Sequence, residues 1–267
     1  MPVNADPTPV SRSRVPGARV VVHPDAATLA AAAAARLVVA LQDAQAERGE
    51  ATLVLTGGSV GIGTLKALAG SPALTAVDWS RVNLWWGDER FVEASSADRN
   101  AGQAEVLLSV LDGLGLDRGR VHPMGPSDTF ATPEDAAADY ARQLAAEAAD
   151  GADTDLPVPV IDVLLLGMGP DSHVASLFPD HAGARTLEGT AIAVHDSPKP
   201  PPLRVSLTFG AINTARQVWF LVAGQDKAPA VAVAVNGQAP RERVPAAGAA
   251  GTRATLWLLD ASAASLI

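Results

Sequence analysis

No cysteine occurs in the 267 residues, so disulfides and thiolate metal sites are excluded, which fits a reducing cytoplasm. Lysine is nearly as scarce, three residues against seventeen arginines. Hydrophobic residues make up 48% of the chain, yet no uninterrupted apolar run reaches the roughly 18 residues that span a bilayer. The first 17 residues, MPVNADPTPVSRSRVPG, lack the apolar segment of a signal peptide and read as a flexible tail. With a formal net charge of −9 and a pI of about 5.0, neither nucleic acid nor an anionic membrane is expected as the main partner. No His/Asp/Glu set has a recognisable metal-ligand spacing, so no metal is expected. Nothing in the sequence points to a partner chain.

What is present is an alternation of short β-branched runs with longer Ala/Leu-rich stretches. Strands are expected at 19–22, 52–56, 82–86, 160–166, 191–195, 204–209, 218–222 and 255–259. Helices are expected at 26–47, 62–68, 101–111, 133–149 and 227–235. Thr132-Pro133-Glu134-Asp135 opens one helix with a capping hydroxyl, proline at the first position and acids in the first turn. VLLLG and LVLTG are continuous apolar runs, as strands covered on both sides require. The pattern predicts an α/β fold, Rossmann-like and doubly wound, with a mostly parallel sheet and helices on both faces. No repeat or long linker divides 18–267, so one domain is expected.

Ligands of such sheets bind beyond the carboxyl ends of the strands. The first of these ends is LTGGSVGIG (55–63). Gly57, Ser59 and Gly61 formally match the G-x-S-x-G nucleophile elbow, but the last histidine, His195, lies far from the C-terminus and only one strand precedes the motif. A phosphate loop needs lysine where Thr64 stands. Two readings survive, a plain strand-to-helix turn and a turn whose amides, with the positive end of the helix dipole, bind an anion. In GMGPDSH (167–173), Asp171 stands two residues from His173, where a carboxylate can fix the tautomer of a general base. Lys199 and Lys227 both fall in strand-end loops. Lys227 opens a helix, where its charge works against the dipole, so an anionic ligand explains it better than helix stability does. Arg90 in GDER and Arg204 in PPPLR complete a basic set, with the PKPPP loop read as a stiff support for Arg204.

Taken together, LTGGS (55–59), WWGDERFV (85–92), DVLLLGMGPDSHVASLFP (162–179), SPKPPPLRVSLTF (197–209) and GQDKA (224–228) resemble the 6-phosphogluconolactonases. The resemblance implies cofactor-free hydrolysis of 6-phospho-D-glucono-1,5-lactone, a phosphorylated sugar lactone, in the pentose phosphate pathway. It also implies a fold shared with the glucosamine-6-phosphate deaminases. It assigns His173 as the base activating water, Asp171 as its orienter, and Gly57, Gly58, Ser59, Arg90, Arg204 and Lys227 to the phosphate and sugar end. Asp88 orders the Arg90 loop or meets a sugar hydroxyl. The sequence departs from the family pattern at Ser172, where glycine is usual, at Val174, where threonine is common, and at Val60-Gly61, where Thr-Pro is usual. The alternatives are a deaminase-like ring-opening activity, which usually carries an acid where Phe178 stands, and a non-catalytic sugar-phosphate sensor.

Overall fold

The computed structural model describes residues 18–148, 154–235 and 239–267; the tail expected over 1–17 lies outside them. The strands are β1 (Ala18–His23), β2 (Ala51–Leu55), β3 (Val82–Trp86), β4 (Asp88–Arg90), β5 (Val121–His122), β6 (Val163–Gly167), β7 (Ala191–Val194), β8 (Arg204–Leu207), β9 (Gln217–Val222) and β10 (Ala254–Asp260). The helices are α1 (Ala26–Arg48), α2 (Gly58–Ala69), α3 (Asn100–Asp112), α4 (Pro133–Ala146), α5 (Ala182–Arg185), α6 (Phe209–Ile212) and α7 (Ala228–Val235).

Seven strands form one sheet in the order β1-β10-β9-β6-β2-β3-β5, and every neighbouring pair is parallel. Alternation along each strand sends side chains to opposite faces. Leu53, Leu55, Leu84, Trp86 and Leu165 pack with α1, α2 and α3, while Val54, Trp85, Leu164, Leu166 and Phe220 pack with α4 and α7. Helices on both faces therefore explain why both alternating sets of side chains along these strands are mostly apolar. Among the described residues α1 is the helix long and apolar enough, by length and composition, to cross a membrane. Its Leu29, Ala33, Leu37, Leu41 and Ala44 instead repeat at about one turn and lie buried in the core.

Two differences from the sequence reading matter for the site. The segments expected as strands at 191–195 and 204–209 do not join the main sheet. They form β7 and β8 of a separate antiparallel sheet, order β4-β8-β7. Gly87 joins the two sheets: its N–H donates to Leu55 O of β2 at 3.0 Å, and its carbonyl accepts from Leu207 of β8 at 2.9 Å. Secondly, α2 begins at Gly58 rather than at residue 62, because glycines at 58, 61 and 63 mask the helical pattern. A Cβ at Gly61 would lie 2.7 Å from Thr56 O, so this first turn packs on its own strand too closely for any larger residue.

The chain leaves β2 toward β3 on one side and later returns to lay β6 on the other. The carboxyl ends of β2 and β6 thus border a switch point, the usual ligand crevice of such sheets.

Candidate functional site

A cleft of about 360 Å³ opens at that switch point. It is lined by Gly57, Gly58, Ser59, Asp88, Arg90, His173, Arg204 and Lys227, and Asp171 stands behind His173. The sites singled out in five separate stretches of sequence therefore converge. His195 pairs with Glu134 on the surface at 2.6 Å, His122 stacks on Trp85 at 3.9 Å, His23 meets Leu259 O at 3.1 Å, and His181 packs on Phe178, 5.7 Å between ring centroids.

The histidine loop is a tight turn built from its own backbone. Gly169 N donates to His173 O at 3.1 Å, and Ser172 N donates to Gly169 O at 2.9 Å. Ser172 takes φ +67, so the position does need the left-handed region that glycine would enter without strain. Its carbonyl accepts from Ala246 N at 3.0 Å, which ties the loop to the rest of the chain. Val174 is fully buried in the apolar core, which accounts for the missing hydroxyl there. The His173 imidazole meets Asp171 with Nδ1···Oδ1 at 2.6 Å. A carboxylate there accepts the Nδ1 proton and leaves Nε2 as the free base nitrogen. Burial alone would push the Asp171 carboxyl up, but the hydrogen bond from His173 and the positive charge nearby, Lys199 included, outweigh it and hold the group well below the ordinary carboxylate range. Phe178, fully buried, packs beneath the imidazole with ring centroids 4.7 Å apart. Gly169 makes this packing possible, because a Cβ there would lie 2.2 Å from His173 Nδ1 and 2.3 Å from Asp171 Oδ1.

The cations of the cleft are held by buried polar groups, of which Glu89, Asn100 and Asp260 were not singled out in the sequence and Asp88 was. Glu89, 1% exposed, accepts from the N–H groups of Arg90, Asn100 and Ala101 at 2.7–2.9 Å and pairs with buried Arg99 at 3.5 Å. It thereby fixes the strand carrying Arg90 against the start of α3. Arg90 spends one nitrogen on Asp98 O at 2.6 Å. Asp88 is buried and accepts from Ser176 Oγ at 2.7 Å, while Asn100 Nδ2 donates to its carbonyl at 2.9 Å. Asp88 therefore orders the site as much as it faces it. Asp260 accepts from Gly224 N at 3.1 Å and so shapes the turn before Lys227, whose Nζ donates to Ala223 O at 3.3 Å. At the β2 end, Gly58 takes φ +79 and Gly58 and Ser59 are exposed to the cleft.

Arg204 corrects one expectation. The proline loop does not simply support it; Arg204 supports the loop, donating Nε to Pro201 O at 3.1 Å and Nη2 to Lys199 O at 2.8 Å and Pro200 O at 3.2 Å. Only Nη1 is left toward the cleft, 4.0 Å from Asp88 Oδ2. Lys199 itself, noted in sequence only as a loop lysine, lines the cleft beside His173. The SPK at the start of the proline loop was the available signal, but its direction depends on Arg204.

A family model described as glucosamine-6-phosphate isomerases/6-phosphogluconolactonase matches residues 24–257. The chain is 56% identical to a 6-phosphogluconolactonase of Streptomyces coelicolor, over 92% of this chain and 94% of that protein. It is also similar to the solved 6-phosphogluconolactonase of Trypanosoma brucei, with a TM-score of 0.76 and 28% identity over 92% of this chain and 97% of the other. A monomeric glucosamine-6-phosphate deaminase shares the fold, with a TM-score of 0.70 at 16% identity over 93% of this chain and all of that one.

Proposed function

The chain belongs to the glucosamine-6-phosphate isomerase/6-phosphogluconolactonase family, and on that premise we infer that it hydrolyses 6-phospho-D-glucono-1,5-lactone to 6-phospho-D-gluconate. The observation that carries the reading is the His173–Asp171 pair opening into the same cleft as Arg90 and Lys227. The cleft brings a base and several cations together, as a phosphorylated lactone requires.

In this reading Nε2 of His173 takes a proton from water as the oxygen attacks the lactone carbonyl. The tetrahedral intermediate collapses with cleavage of the bond from C1 to the ring oxygen, and the imidazolium returns its proton to that departing oxygen. Asp171, half-buried and hydrogen-bonded to the ring, keeps the tautomer and stabilises the transient imidazolium, as a carboxylate does beside a catalytic histidine. Arg90, Lys227, the remaining Arg204 nitrogen, the Ser59 hydroxyl and the exposed amides after Gly57 hold the phosphate and sugar. Phe178 beneath His173 offers no proton to relay, which favours hydrolysis over deaminative ring opening.

The experiment is loss of the phosphorylated δ-lactone, corrected for spontaneous hydrolysis, with no metal or nucleotide added. His173→Ala lowers kcat by about 10²–10⁴, the range of a general-base contribution. Lys227→Gln weakens the phosphorylated lactone more than the unphosphorylated one. Release of ammonia from glucosamine 6-phosphate would move the protein to the sister activity, and full activity in His173→Ala would remove the base.

A further inference from the structure

A third group shares the His173–Asp171 end of the cleft. Lys199 Nζ lies 3.3 Å from His173 Nδ1 and 3.5 Å from Asp171 Oδ1. It comes from the loop between β7 and β8, a different element from the one carrying the pair. Its backbone is clamped: Ser197 Oγ and Arg204 Nη2 both donate to Lys199 O at 2.8 Å, and Lys199 N donates to Ser197 Oγ at 3.3 Å. This clamp spends two donors of a buried arginine on the two residues that lead to the lysine side chain. An ammonium only donates. Since Nδ1 already gives its proton to Asp171, Lys199 adds its charge to the carboxylate while standing against the imidazole.

We propose that Lys199 is a positioning residue for the lactone hydrolysis, sharing the Asp171 carboxylate with His173 so that the imidazole remains unprotonated between turnovers. The proposal rests on the reading of His173 as the base. Asp171 alone, so close, favours the imidazolium, and an imidazolium cannot accept a proton from water. The ammonium opposes that charge while leaving Asp171 free to hold the tautomer. Other charged groups stand farther back: Arg204 lies over Phe178 at 5.8 Å, and Asp88, Arg90 and Lys227 line the cleft wall. Asp171 and Lys199 are the charged groups in contact with the ring.

The test compares wild type, Lys199→Met and Lys199→Arg, with kcat and KM measured against pH on the phosphorylated and unphosphorylated δ-lactones. On the acid limb Lys199→Met is expected to lose about three- to tenfold in kcat/KM on both substrates, while the rates on the plateau above the limb stay near wild type. KM for the phosphorylated lactone should change less than twofold. The acid limb of its kcat/KM profile moves up by about half to one pH unit, the size of one unit charge near 4 Å in a water-like dielectric. Lys199→Arg restores the limb. A loss confined to KM for the phosphorylated substrate would make Lys199 a phosphate ligand and overturn the proposal, as would an unmoved acid limb. His173→Ala run beside them separates the two levels. If it is inactive while Lys199→Met keeps the wild-type profile, only the lysine role fails; if it stays active, the base assignment fails first.

Discussion

Gly169 offers the most direct way to disturb the chemistry without dismantling the fold. A methyl at this position would sit 2.2 Å from His173 Nδ1 and 2.3 Å from Asp171 Oδ1, more than an ångström inside the 3.4 Å at which contact becomes ordinary. Both obstructing atoms are side-chain ends rather than backbone, so they can swing aside. Overpacking of this kind costs about 1–3 kcal/mol, and the escape route for the two side chains puts Gly169→Ala at the low end. The same movement carries the imidazole and its carboxylate away from the lactone, and a displacement of about 1 Å in a reacting group costs about 10²-fold in rate. Gly169→Ala should therefore melt only a few degrees below wild type by circular dichroism. It should bind 6-phosphogluconate within a few-fold of wild type by calorimetry, and lose about 10²-fold in kcat by lactone consumption. Wild-type kcat in a folded Gly169→Ala protein would refute the packing argument, and so would a rate loss that tracks unfolding alone.

Two further substitutions test the scaffold. Ser172→Gly removes a non-glycine residue from φ +67, where the strain is of order 1–3 kcal/mol, against about 0.5–1 kcal/mol of added unfolded-state entropy. The net gain should be about 0.5–1 kcal/mol, or about 1–4 °C in Tm for a chain of this size, and a fall in stability would count against strain at this turn. Glu89→Ala takes the carboxylate from buried Arg99, which keeps the Met124 carbonyl but no opposite charge, and leaves three amide N–H groups without their acceptor, so denaturant titration should show a loss of about 3–5 kcal/mol. A loss under about 1 kcal/mol would show that Arg99 finds another partner.

The sheet strands were legible because burial on both faces writes itself as short, mostly apolar runs, and 82–86, with Asn83 its one polar residue, matches its expected bounds to the residue. The site was legible because Gly, His, Arg and Lys at strand ends have few structural reasons to be there. The second sheet was not. β4 is three residues long and starts one residue after the junction Gly87, too short for any period to register. Likewise β7 and β8 read as ordinary strands, with nothing local to say which sheet they join. Strand order is fixed by packing between distant segments, so the switch point at β2 and β6 had to be inferred from the fold class. The turn of Arg204 back onto three carbonyls of residues 199–201 is local in sequence, but it depends on how the proline loop folds, which the residue types alone do not fix. For the same reason the direction of Lys199 could not be read.

Arg90 and Arg204 stand opposite each other across the β4–β8 pair, and like charges so placed weaken a sheet. Burial first, and Arg90 as well, push the Arg204 guanidinium below its ordinary value, with Asp88 pulling the other way. The pair of like charges thus places an electrostatic load at the β4–β8 strand pair that borders the cleft. An anion seated between the two guanidinium groups, as the proposed substrate site requires, would discharge it, and occupancy and resistance to unfolding would then rise together. Starvation for the phosphorylated metabolite would then leave the protein most open to proteolysis when it has least to do.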